Sequence, residues 1–117
     1  MSDITRIGVK PHLSEAVVHG GIAYLAGITP ADGCGEGVAA QTASVLQQID
    51  ALLAAAGTSK ERLLTAQIWL TDIRARDEMN AVWNAWVAPG APPTRACTEA
   101  KLAQPHWLVE IMVTAAL

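Results

Sequence analysis

The apolar residues of this 117-residue chain switch period several times, and that switching limits the folds open to it more than any single motif does. From Glu36 onward, Val38, Thr42, Val45, Leu46, Ile49, Leu52 and Leu53 recur at the i, i+3, i+4 spacing of one helical face, and Gly57 ends the run as a C-cap glycine would. Met79, Val82, Trp83, Trp86 and Val87 repeat that spacing until Pro89-Gly90 stops it. Elsewhere the period is two. Ile4 to Val9 reads as a first strand, and Ala16 to His19 with Ile22 to Ile28 as a hairpin about Gly20-Gly21. Leu63 to Leu70 is a strand by alternation and by its β-branched and aromatic content. Thr94 to Leu102 and Trp107 to Ala115 are the last two strands, joined by the short loop Ala103-Gln104-Pro105-His106.

The order β-β-β-α-β-α-β-β places each helix between strands. The economical architecture is an α+β fold, a single mixed sheet with both helices packed on one face, in one domain over residues 1–117. Two helices cover one side only. Trp69, Gln67, Cys97 and Met112 are then expected on a half-apolar open face, which self-association would relieve.

Composition excludes several classes of function. At 51% hydrophobic and 16% charged residues the chain can bury a real core. A net charge of -3 with eight scattered Lys and Arg gives no footprint for nucleic acid, so no nucleic-acid partner is expected. The N-terminus MSDITRIGVK has no apolar run of the kind a signal peptide needs, and no segment approaches a membrane span. The expectation is a cytoplasmic protein with no membrane partner, in which Cys34 and Cys97 stay reduced.

The stretch PPTRACTEAKL, Pro92 to Leu102, carries the candidate chemistry. Alternation sets Arg95, Cys97, Glu99 and Lys101 on one face. If Leu102 faces Trp107 across an antiparallel hairpin, Glu99 pairs with Glu110, Cys97 with Met112 and Arg95 with Thr114. Four residues span roughly 13 Å at about 3.3 Å each, so Arg95 and Glu110 would grip opposite ends of a short carboxylic acid lying over Cys97. Arginine offers a donor fork that binds a carboxylate bidentately. A carboxylate in a partly apolar strand, faced by a second one, has a raised pKa and suits a group that takes a proton from water. On alternation alone, the same residues also fit a structural ion pair between subunits or solvated edge charges.

Pro93 to Leu102, with Val109-Glu110-Ile111 in the next strand, resembles the C-terminal signature of the Rid family of reactive intermediate deaminases, also called the YjgF family, and of its YoaB-like branch in particular. The resemblance extends along the chain through Tyr24-Leu25-Ala26-Gly27, Gln41-Thr42, Ala56-Gly57, Leu70-Thr71-Asp72, Met79-Asn80 and Trp83. It implies a chorismate-mutase-like fold and a homotrimer with inter-subunit clefts. There enamines and imines of 2-oxo acids, such as 2-aminoacrylate and 2-iminopropanoate, are hydrolysed to the 2-oxo acid and ammonia without metal or cofactor. By position, Arg95 matches the arginine that grips the substrate carboxylate, and Glu110 the acid that holds or activates the water. Cys97 matches a cysteine lining the cleft. Where the best-known branch has Ser-Gly-Gln, this chain has Ala26-Gly27-Ile28, and an aromatic before the second strand is replaced by Leu13 or its neighbour His12. The implied pocket, with Leu13, Ala26 and Gly27 as further substrate contacts, is more apolar. Thr98 also stands where that signature carries a larger apolar residue.

Other features carry bland readings. His12, His19 and His106 lack ligand spacing, so no metal is expected, and the glycines around Cys34 lack phosphate-loop spacing. Trp83 and Trp86 sit on the apolar helical stripe as core residues. Besides the deaminase, a non-catalytic trimeric binder of small carboxylates and a scaffold with vestigial clefts fit the same sequence.

Overall fold

The computed structural model describes residues 3–117. Its elements are β1 (Thr5–Val9), β2 (Ser14–His19), β3 (Ile22–Leu25), α1 (Val38–Ala56), β4 (Leu63–Leu70), α2 (Arg76–Trp86), β5 (Thr94–Glu99) and β6 (Val109–Ala116), with short 3₁₀ turns at Lys60–Arg62 and Ile73–Ala75. The strands form one six-stranded sheet in the order β1-β2-β3-β6-β4-β5. Every neighbour pair is antiparallel except β4 with β5. The α+β class, the element order and the single mixed sheet agree with the sequence reading. Among the described residues, no helix is long and apolar enough to cross a membrane.

Alternation along the central strands decides which face is covered. Ala66, Ile68 and Leu70 of β4 and Val109, Ile111 and Val113 of β6 are buried, together with Leu46, Ile49 and Leu53 of α1 and Met79 and Trp83 of α2. Fully burying side chains of this size contributes roughly 1.5–3 kcal/mol each, and both helices take their places from that packing. The intervening residues of β4 and β6 point to the other face, where Met112 is 42% and Tyr24 of β3 is 45% exposed. Thr65 and Thr114 share a hydrogen bond of 2.6 Å there, and Gln67 donates to Thr98 at 3.2 Å.

Element ends move where local geometry overrides period. Helix α1 begins at Val38, not Glu36, because Gly37 holds φ at 89°, outside the helical region. Helix α2 begins at Arg76, three residues before Met79. A 3₁₀ turn leads into it, started by the Asp72 carboxylate accepting the Arg74 backbone N–H at 2.9 Å, and Asp77 and Glu78 favour its first turn. Strand β3 ends at Leu25, and between Gly27 and the start of α1 the chain pairs with the sheet at the isolated Ile28–Ile111 bridge.

The expected hairpin between the last two strands does not form. The β4–α2–β5 crossover sets β5 parallel to β4 at the sheet edge, with Arg95 opposite Ala66 and Cys97 opposite Ile68. Strand β6 lies on the other side of β4, pairing Glu110 with Trp69 and Met112 with Gln67. The connection over residues 100–108 therefore crosses the end of β4 instead of turning tightly. It is tied there by Ala100 N–H to Leu70 O at 2.9 Å and Thr71 N–H to Leu108 O at 3.1 Å. The pairs Glu99–Glu110, Cys97–Met112 and Arg95–Thr114 are absent. Because paired residues share a face, Arg95, Cys97 and Glu99 join Ala66, Ile68 and Leu70 on the helix side, whereas Glu110 joins Trp69, Gln67 and Met112 on the open side. Cys97 is thus not part of the open face.

Candidate functional site

The groups that the sequence placed on one surface fall into two places within the chain. The first is a cleft of about 460 Å³ with Glu110 and Gly27 among its lining residues. It opens where β3 leaves the sheet after Leu25, so the end of β6 has lost a partner except at Ile28. The turn between β1 and β2, closed by Lys10 N–H to Leu13 O at 2.8 Å, brings Leu13 and His12 to the cleft. The 100–108 connection brings Ala103 and Trp107.

Gly27 explains how Glu110 fits. A Cβ built on Gly27 would overlap one Glu110 carboxylate oxygen and lie 3.1 Å from the carboxyl carbon. Only a glycine lets the acid lie flat against this backbone. Burial pushes the Glu110 carboxyl above its ordinary value. The like-charge cause expected from Glu99 does not operate: Glu99 sits on the other face and accepts the Ile73 backbone N–H at 3.0 Å.

The second place is the edge strand. Arg95 is exposed on the helix side, and its Nη1 donates to Asn80 Oδ1 of α2 at 2.7 Å. Its guanidinium carbon lies 5.5 Å from the centroid of the Trp83 ring, a cation–π geometry that sets the plane of the fork. Two residues on, Cys97 is half-buried against the core, and desolvation pushes its thiol up although the guanidinium groups of Arg95 and Arg76 pull it down. A thiol so disposed is a poor nucleophile at neutral pH.

Of the expected site residues, the structure therefore brings together Glu110, Gly27, Ala26 and Leu13 in one cleft and leaves Arg95 and Cys97 outside it. Sequence reasoning missed Lys10, Glu15, Gln48 and Trp107 as cleft residues, since each comes from a different element. It also missed the support beneath Arg95. The signal was present, because Asn80 and Trp83 lie at i and i+3 and so share a helical face.

Gln41 is another residue whose role emerges only in three dimensions. It is 7% exposed on α1, its Nε2 donates to His106 O at 3.0 Å, and its Oε1 accepts the Leu108 N–H at 2.7 Å. Both ends of one amide thus fix the connection that carries Trp107 and leads directly into Glu110. Among the described residues, no three His, Cys, Asp or Glu side chains gather as a metal site requires.

Comparison with known proteins adds the family. A family model described as Endoribonuclease L-PSP matches residues 4–117. A RutC family protein of Haemophilus ducreyi is 46% identical over 114 residues, covering 97% of each chain, and the RutC family protein YoaB of Escherichia coli K12 is 36% identical, covering 97% of this chain and 98% of its own. Among solved structures, a member of the YjgF protein family from Neisseria meningitidis superposes with a TM-score of 0.94 at 50% identity, covering 97% of this chain and 94% of its own. A protein of the Rid family from Yersinia pestis superposes with a TM-score of 0.86 at 29% identity, covering 93% of this chain and 90% of its own.

Proposed function

Because the chain belongs to the Endoribonuclease L-PSP family, which takes in the RutC, YjgF and Rid proteins, we propose that it hydrolyses enamines and imines of 2-oxo acids, of the 2-aminoacrylate and 2-iminopropanoate type. The product would be the 2-oxo acid with ammonia, and the work would be done in clefts between the subunits of a homotrimer. The observation that carries this reading is the Glu110 carboxyl, raised by burial and laid against Gly27 in a cleft that admits a small molecule. A carboxylate made more basic in this way, with room beside it, suits the activation of water. The half-apolar open face around Tyr24 and Met112 supports the oligomer.

The opposite placement of Arg95 and Glu110 makes the cleft between subunits a requirement of the reading. One copy offers Glu110, Gly27, Ala26 and Leu13; a second copy offers Arg95, with Cys97 behind it, from the free edge of its sheet. Arg95 would hold the substrate carboxylate, and Asn80 and Trp83 keep its fork in plane. Glu110 then takes a proton from water as the hydroxyl oxygen adds to C2 of the imine. The nitrogen is protonated, the C–N bond breaks, ammonia leaves, and the remaining O–H proton is lost as the carbonyl forms. An enamine enters as its imine tautomer. Orientation and a general-base factor of roughly 10² to 10⁴ suffice for a labile imine.

The ribonuclease activity in the family's description would need a cationic surface along the backbone of RNA, and a net charge of -3 with scattered Lys and Arg does not favour it. The test generates 2-aminoacrylate in situ from an amino acid and follows its decay with wild type, Arg95→Ala and Glu110→Gln. Faster decay with wild type alone is expected, and equal rates in all three overturn the reading. Calorimetry with 2-oxo acids separates the other two possibilities: binding without turnover identifies a carboxylate binder, and no binding identifies a scaffold.

A further inference from the structure

Helix α1 carries a polar stripe that packing on the sheet does not require. Among the described residues, the buried polar side chains are Gln41, Thr42 and Ser44, all in the first half of this helix. Burying such groups costs stability unless each finds a hydrogen-bond partner. Thr42 turns back on its own helix and donates to Val38 O at 2.7 Å. Gln41 and Ser44 reach out of it, and with the half-buried Gln48 they stand at i, i+3 and i+7 on one helical face. Gln41 holds His106 O and the Leu108 N–H, and so brackets Trp107. Ser44 Oγ accepts the Ala31 N–H at 3.0 Å, and Gln48 Nε2 donates to Thr29 O at 2.9 Å. The two segments held in this way are the ones that flank Glu110. One continues from Gly27, against whose backbone the carboxylate lies, and the other runs through Trp107 into β6.

We infer that Gln41 and Gln48 are positioning residues for Glu110, holding from α1 the two segments between which its carboxyl is seated. The inference rests on the deaminase reading for the reaction that this positioning serves. Strand β3 ends at Leu25 and β6 begins at Val109, so residues 27–31 and 106–108 lie outside the strands. Apart from the Ile28–Ile111 bridge, they depend on side-chain amides where a backbone ladder would otherwise fix them. Releasing residues 106–108 would move Trp107 from the cleft wall and shift the start of β6, which displaces the carboxyl and admits water to it. Arg95 lies across β4 with its own support on α2, so substrate binding is separable from water activation. Burial is what raises the Glu110 carboxyl, and its titration therefore reports whether the seat is intact.

The test compares wild type with Gln41→Met and Gln48→Met, which keep the side-chain length and lose the amide. On 2-iminopropanoate generated in situ, kcat should fall about 10²-fold for Gln41→Met, the loss that a displacement near 1 Å at a reacting group brings. KM should stay within about twofold, because the anchor is untouched. Added to Glu110→Gln, neither substitution should lower the rate further, since a residue that acts through Glu110 then has nothing left to position. A loss in KM alone, or one that multiplies with the Glu110→Gln loss, marks a merely structural role and overturns the inference. The second readout needs no turnover: the Glu110 carboxyl carbon is followed by NMR as pH is varied. Lys10, His12 and Glu15 also line the cleft, and on the deaminase reading Arg95 of a second copy faces it; all four are unchanged in the variants. The midpoint should move down toward the ordinary carboxylate value as water gains access, and an unmoved midpoint overturns the inference. A wild type without imine hydrolysis overturns the deaminase reading alone, and the titration still decides the positioning. If Gln41→Met does not fold, the half-buried Gln48→Met, with less core to lose, carries both readouts.

Discussion

Glu110 and Arg95 lie on either side of β4 in one sheet, on opposite faces, and are held in opposite ways. Glu110 is on an inner strand, flanked by β4 along one side and by the Ile28 bridge on the other, with its carboxyl against Gly27 backbone and pushed toward its neutral form by burial. Arg95 is on the edge strand, exposed, and positioned from below by one hydrogen bond and one aromatic face. The carboxyl group is tuned by exclusion of water and the guanidinium by orientation in water. A group that must change protonation gains from desolvation, whereas a permanently charged anchor would lose its partner's hydration without gaining reactivity. Neither region contains the other's function, so a cleft that needs both must draw them from two copies of the chain.

The largest expected effect breaks that comparison directly. Arg95→Ala and Glu110→Gln proteins should each lose about 10² to 10⁴ of the rate enhancement. If they are unfolded and refolded together in equal amounts, activity should return. Random assembly gives about a quarter of clefts a functional Arg95 from one copy and a functional Glu110 from its neighbour, as closed cyclic symmetry requires. Imine decay in the mixture measures it. A mixture as inactive as its components would mean that the two groups do not meet between subunits.

Gly27→Ala attacks the Glu110 side alone. The added methyl collides with the carboxylate, so Glu110 must turn away or the backbone must shift. Activity should fall about 10²-fold, as it does for displacements near 1 Å at a reacting group, whereas stability should change little, because the group displaced is the end of a flexible side chain. Chemical denaturation and imine decay measure the two effects. Ala26→Ser, next door, should leave stability unchanged within about 0.5 kcal/mol.

The contrast between the two regions also explains what could be read beforehand. Helix and strand periods, the α+β class and the single mixed sheet were legible because each depends on local alternation, which Ile68, Ile111, Leu46 and Met79 satisfy as expected. The pairing of Thr94 to Glu99 was not. A parallel partner is chosen by where a crossover helix delivers the strand, and nothing in the strand itself distinguishes β4 as that partner from β6. Reading a hairpin there moved Arg95 and Cys97 to the wrong face as a unit. Glu110 and Gly27 were named together through the family resemblance, which carries both over by position; that Gly27 leaves the room the Glu110 carboxylate occupies is visible only in three dimensions.

A third test uses pH. Burial raises the Glu110 carboxyl, so kcat/KM should climb with pH through an inflection above the ordinary carboxylate value, and Glu110→Gln should abolish that limb. The stability consequence has the opposite sense. With the folded-state pKa above the unfolded one, the folded protein binds the proton more tightly. Stability from this group is therefore fully present below the unfolded pKa and is lost as pH rises through the folded pKa. Glu110→Gln should accordingly be at least as stable as wild type at neutral pH, with any advantage shrinking in acid. Thermal unfolding at both pH values measures it. A glutamine variant that is less stable at neutral pH would mean that Glu110 is a favourable structural partner, not a desolvated base.

The smallest effect belongs to the support of Arg95. Asn80→Ala removes the acceptor of its Nη1, and a net hydrogen bond of ~0.5–1.5 kcal/mol corresponds to roughly a two- to tenfold rise in KM. The rate constant kcat should hardly change, because the anchor grips the substrate carboxylate equally before and during water attack. Trp83→Phe keeps a ring beneath the guanidinium and should cost less, with cation–π energies near ~0.5–1 kcal/mol at exposed sites. Steady-state kinetics on one imine separates the alternatives. If Asn80→Ala lowers kcat instead and leaves KM alone, Arg95 acts on the reacting centre, and the division between an oriented anchor and a desolvated base fails.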